Sequence, residues 1–279
     1  MPAMIRYCAV FLVTALMGAG LSHAARASDL DRLEAFMEVT GFDVALDSIR
    51  LSAEAAPSMI GLESDDFGSE WTRLVEDVFD SEQMHSMAIE ILSQTLEDDI
   101  LNHAVDFYAS DLGQRLVVAE NASHMTDDEQ LKTESGEAIV AGLLEIGSPR
   151  LEELKRMNNA IGSEDASIRA IHEVQVRFLM AAASAGVIDL QMDEADLREN
   201  LKSQEGEMRL NLQRSALSGS AYTYQAFSDA DISAYADALE DPKMQQVYEL
   251  MNAVQFEIMA NRYEAVAQRM QSLRPSQDL

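Results

Sequence analysis

Apolar residues along this chain recur three and four positions apart and almost nowhere in strict alternation, so the pattern predicts helices from end to end. Leu30, Leu33, Phe36 and Met37 share one face of a short helix from Asp29 to Thr40, which Gly41 ends. A second helix runs from Phe42 to Ala55 and stops before Pro57. Trp71, Leu74, Val75, Val78 and Phe79 form a stripe behind Ser64, a candidate cap, and Ser81 caps a helix carrying Met84, Met87, Ala88, Ile91 and Leu92. Ile100, Leu101, Ala104, Val105 and Tyr108 make the clearest amphipathic face, after which Ser110-Asp111 turns the chain into a helix with Leu112, Leu116 and Val117.

Thr126 with Glu129 has capping-box spacing and opens a helix to about Ile146; Pro149 starts the next at the tolerated first position. Asn158 to Ser163 reads as the boundary between two halves, 28–160 and 161–279. Beyond it the pattern predicts helices over Ser163–Ala185 and Asp193 to about Leu217. Ser228 with Asp231 caps a further helix, and Asp241-Pro242 opens a long last one. The expected fold class is all-α, a multi-helix bundle.

Two stretches repeat. Leu96–Ala122 set over Phe227–Ala253 without a gap aligns Asp98 with Asp229, Asp106 with Asp237, Gln114 with Gln245 and Asn121 with Asn252. Both read as a helical hairpin that needs a partner for its apolar face.

The N-terminus breaks the pattern. Arg6 precedes an uncharged apolar run from Ala9 to Leu21, and small-x-small sites follow at Ser22–Ala24 and Ala25–Ala27. That order is a Sec-type secretory signal peptide over residues 1–27, cleaved between Ala27 and Ser28. Cys8 lies ahead of the apolar run rather than at the cleavage point, so the pattern is not that of a lipoprotein, and no later segment predicts stable membrane insertion. The expected location is periplasmic or secreted.

Cleavage changes the composition. It removes the only cysteine, so no disulfide is available. It also removes Arg6 and Arg26, two of the 20 bases, leaving 18 against 49 acids and a net charge of −31. Such a balance excludes nucleic acid as a partner, because that binding depends on Lys and Arg neutralising phosphates. The acid pairs Asp65-Asp66, Asp98-Asp99 and Asp127-Asp128 lack the spacing of calcium loops and stand where helices begin, where acids complement the macrodipole.

The segment DFYASDLGQRLV, beginning at Asp106, resembles the Phe-Tyr-x-Ser-Pro-x-Gly-Gln signature of domain-of-unknown-function family 2059. Phe107, Tyr108, Ser110, Gly113 and Gln114 match, while Asp111 stands in place of the proline. LEAFMEVTGFDVAL, Leu33 to Leu46, resembles that family's opening helix. In the second copy Leu239 and Asp241-Pro242 fit, but Met244 replaces the glycine. The resemblance implies an exported helical protein and brings no catalytic residues.

Catalytic patterns are absent. There is no HExxH, no GxSxG, and no phosphate-binding or dinucleotide glycine loop. Nothing in the sequence calls for a cofactor. Met84, His85 and Met87 are the one metal-like group, yet Met84 and Met87 share a helix face with Ile91, as core methionines do. Phe107, Tyr108, Gly113 and Gln114 at the hairpin elbow either shape a small groove or serve packing and capping, and the second reading is preferred. The expected function is a non-enzymatic binding module of the cell envelope, its partner another envelope protein or an apolar ligand between helices. The alternatives are an envelope hydrolase, which needs two acids converging in one cleft, and a metal-handling protein.

Overall fold

The computed structural model describes residues 29–54, 56–126 and 128–273. The predicted cleavage point, Ala27–Ser28, lies outside them. Every regular element among the described residues is helical, as the periodicity predicts. In chain order they are α1 (residues 29–40), α2 (Phe42–Asp47), α3 (Ile49–Ala53), α4 (Ser69–Val78), α5 (Ser81–Thr95), α6 (Asp98–Tyr108) and α7 (Asp111–His124). Then follow α8 (Glu129–Glu145), α9 (Arg150–Ala160), α10 (Glu164–Ser184), α11 (Glu194–Ser203), α12 (Glu205–Thr223), α13 (Asp229–Leu239) and α14 (Pro242–Met270).

Helix α14 is the spine. Its 29 residues span roughly 43 Å at the α-helical rise. Met244, Val247, Val254, Ile258, Tyr263, Val266 and Met270 are buried along it, against α4, α5, α6 and α10. Burial on more than one side explains why its apolar positions form no single stripe. Around this spine, buried residues from Leu33 to Met270 join into one cluster, so the core continues across the break at Ile161–Ser163. Val176, Leu197 and Leu201 form a small satellite between α10 and α11.

The bases tie helices together. Arg156 on α9 reaches Asp237 and Glu240 on α13, Arg177 on α10 holds Glu257 and Glu264 on α14, and Arg209 on α12 holds Glu164 and Asp165 on α10. With acids in large excess, Arg177 and Arg209 each serve two carboxylates at once, and Arg156, which also pairs with Glu153, serves three.

Several expected boundaries move. The helix expected over Phe42–Ala55 breaks at Ser48, whose hydroxyl donates back to the Ala45 carbonyl. The one expected over Asp193–Leu217 breaks at Gln204, beyond which the chain packs on α8 as well as α10, and it continues to Thr223. Ser64 opens a single 3-10 turn capped by Glu63, and α4 starts only at Ser69. Asp80 rather than Ser81 caps α5, Asp128 rather than Thr126 caps α8, and Pro149 stands at the cap of α9, one position early. Asp80 and Asp128 each accept the backbone N–H three residues on, which places the cap there. Ser228 caps α13 as expected, and Ser110, Ser163 and Asp241 cap α7, α10 and α14.

The two similar segments fold with matching bounds. Asp98–Tyr108 stands over Asp229–Leu239, and the next helices start at Asp111 and Pro242. Leu101, Ala104, Tyr108 and Leu116 stand over Ile232, Tyr235, Leu239 and Val247, and all are buried. They differ at the far end, where α7 stops at His124 and α14 runs on to Met270.

Candidate functional site

The elbow residues end up in one place with different tasks. Phe107 stacks parallel to Tyr235, with ring centroids 5.8 Å apart, and meets Tyr108 edge-on. A Cβ on Gly113 would stand 2.3 Å from the Phe107 carbonyl and 2.5 Å from the Tyr108 Cα, so only glycine lets α7 fold back this closely on α6. Gln114 is exposed, and its amide donates to the Ala109 carbonyl at 3.4 Å.

Tyr108 leads to a larger constellation. Its hydroxyl lies 3.1 Å from that of Tyr235 and against that of Tyr248, and Tyr235 and Tyr248 are 2.9 Å apart. Tyr235 donates to Glu120 Oε1 at 2.9 Å, and Tyr224 donates to the same oxygen at 2.7 Å. Four of the chain's seven tyrosines, from α6, the end of α12, α13 and α14, thus form one cluster, and two of them hold the carboxylate directly. Tyr224 sits edge-on to Tyr235, and Arg150 holds its turn by donating to the Tyr224 and Phe227 carbonyls at 2.6 and 2.9 Å.

Both phenols spend their protons on Oε1, and Glu120 Oε2 has no protein partner among the described residues. Burial pushes the Glu120 carboxyl above the ordinary glutamate value, against the pull of the two phenols. Burial, with the Glu120 charge beside it, pushes all four phenols upward. They stay protonated and act as fixed donors.

Glu120, Tyr224, Tyr235 and Tyr248 stand in the wall of a cavity of about 360 Å³. The rest of the wall mixes amides and hydroxyls (Asn121, Ser123, Asn158, Thr223, Asn252, Gln255) with Phe42, Met157, Ile161 and Met251. Thr223 donates to Ser123 at 2.8 Å. Glu120 is the one acid in this wall; His124 and Lys132 are its cations. Lys132 donates to the Ser123 carbonyl at 3.0 Å and pairs with Glu129 at 3.2 Å, and burial, with Lys132 beside it, lowers the His124 pKa. A larger cavity, about 630 Å³, lies between α10 and α14 and is floored by Ala166, Ala170, Ala253 and Phe256. It has more room, but no buried polar cluster converges on it, so the Glu120 cavity is the stronger candidate.

The other sequence candidates lie elsewhere. Met84 is buried in the core, while His85 sits 3.1 Å from Asp47. Among the described residues no group of three or more His, Cys, Asp or Glu is placed to hold a metal ion. Asp98 and Asp99 occupy the first turn of α6 and pair with Arg32 and Lys243; Asp128 caps α8. Tyr108 was singled out by sequence, but Glu120, Tyr224, Tyr235 and Tyr248 were not marked as site residues. One signal was present: Gly113, Leu116 and Val117 define the inward face of α7, and Glu120 falls on it one turn later. An acid at an inward position is the mark of a polar site inside a bundle.

Residues 82–141 match the model of a family described as an uncharacterized protein conserved in bacteria, DUF2059. The match covers α5, α6, α7 and most of α8. No curated protein and no solved structure matches the chain. Among the described residues no helix is long and apolar enough to cross a membrane.

Proposed function

We propose that the chain is a non-enzymatic binding module of the bacterial cell envelope, exported through its N-terminal signal, and that the Glu120 cavity holds its ligand. The observation that carries this reading is a carboxylate oxygen, Glu120 Oε2, left without a protein donor among the described residues, in the wall of a cavity lined by polar side chains. An ionised oxygen with no protein donor is open to a charge-assisted hydrogen bond from a ligand. The rigid phenol cluster behind Glu120 fixes the acceptor in advance, which lowers the ordering cost of binding. Mixed lining favours an amphiphilic ligand over the purely apolar one expected from the sequence.

A hydrolase working with two carboxylates is less favoured, because among the described residues the wall around Glu120 holds no second acid. Export is supported by the order of charge, apolar run and small-residue site, and N-terminal sequencing of the protein from the envelope fraction should begin at Ser28.

Thermal unfolding with and without the small-molecule fraction of an envelope extract tests the binding reading. A ligand at about one hundred times its Kd stabilises the folded state by about 2.7 kcal/mol. The wild-type protein should show a rise in Tm, and Gln255→Trp, which fills the cavity from a residue outside the phenol cluster, should show none. Equal behaviour of the two proteins would remove the cavity from consideration.

A further inference from the structure

We infer that the Glu120 cavity recognises a primary ammonium group, the free N-terminus of a short peptide being the chemical type that fits. The inference rests on the binding reading above and adds the class of ligand. Oε1 already accepts from Tyr224 and Tyr235, so the carboxylate is held from two sides and Oε2 is its remaining acceptor. An ammonium brings three donors and a charge to that oxygen, and Tyr224 and Tyr248 stand in the same wall. Asn121, Asn158, Asn252 and Gln255 supply the paired donors and acceptors that peptide amides require.

The charges around the cavity narrow the choice. Lys132 and His124 in the same wall oppose a second positive charge, which disfavours a polyamine. A calcium ion needs six to eight oxygen ligands, whereas this wall offers a single carboxylate. The upward shift of Glu120 has the same origin: its charge is taken from water without a counter-ion, and an ammonium supplies one. Binding then displaces a proton from Glu120 where that group is neutral. Protonation of His124 at low pH works in the same direction, so affinity rises with pH until the ligand amine itself deprotonates near its ordinary value of about 8.

Calorimetric titration of the purified protein with alanyl-alanine amide and its N-acetylated form tests this. The free amine should bind at least about tenfold more tightly than the acetylated probe. Glu120→Gln should abolish that preference, and a circular-dichroism melt establishes that the variant is folded. Tyr224→Phe, which keeps the ring and removes one donor to Oε1, should weaken the free amine while keeping the preference. If Glu120→Gln does not fold, the Tyr224→Phe titration and the rise of wild-type affinity with pH decide the matter. Equal affinity for the two probes, absence of binding by either, or an unchanged preference in Glu120→Gln overturns the ammonium assignment. A Tm rise from the extract, lost in Gln255→Trp, would still stand in that case and would point to a ligand of another class.

Discussion

A carboxyl group taken out of water favours its neutral form even against two phenol donors, and this gives Glu120 a defined effect on stability. Its folded-state value lies above the ordinary 4.5, so the native state holds the proton more tightly than the unfolded chain does. The stabilising contribution is complete below 4.5 and is lost as pH rises through the raised value. Glutamine does not titrate. Urea unfolding of wild type and Glu120→Gln across this range should therefore show the variant gaining stability relative to wild type as pH increases. A constant difference would mean that Glu120 titrates as it does in the unfolded chain. At this scale Tyr108 was legible as a packing residue, because it falls on the inward face of α6. Glu120 was not, since an acidic chain contains many carboxylates and only their position relative to a helix face separates one from another.

Helices were legible because each needs only a local stripe of apolar residues, and the stripes of α4, α6 and α13 are intact in the sequence. Breaks at Ser48 and Gln204 were not, because the apolar spacing runs through them and the change of direction is imposed by packing partners distant in sequence. The pairing of α8 with α12 shows the same dependence. Gly136 is the one buried residue in α8, and a Cβ there would stand 2.2 Å from the Ser218 carbonyl. That neighbour is backbone and cannot swing aside. Gly136→Ala should destabilise the protein by about 1–3 kcal/mol, the usual range for overpacking. Gly142→Ala on the same helix, with open space around it, should be neutral or mildly stabilising. Urea midpoints of the two variants give the comparison, and equal effects would mean that helix propensity, not the close crossing, governs both.

The whole chain carries a formal charge of −29, and repulsion among its acids opposes the folded state. The arginine pairs that join α9 to α13 and α10 to α14 counter this locally, but they are exposed and each is worth little. Added salt should screen the repulsion more than it weakens the pairs, so Tm should rise as sodium chloride increases from low to moderate concentration. A fall would show that the arginine bridges outweigh the net charge. The excess of acids was plain in the sequence, but which helices the few arginines join was not, because those pairs link residues about eighty positions apart. The tyrosine cluster has the same long-range character, and it bears on what counts as a working unit. Glu120 and Tyr108 lie inside the segment that matches a family model, while Tyr224, Tyr235 and Tyr248 lie well beyond it. A fragment trimmed to residues 82–141 would keep the carboxylate and lose three of its four phenols. The matched segment alone therefore holds the acid without its setting, and a ligand study needs the second hairpin, whose aromatic hydroxyls complete the spot.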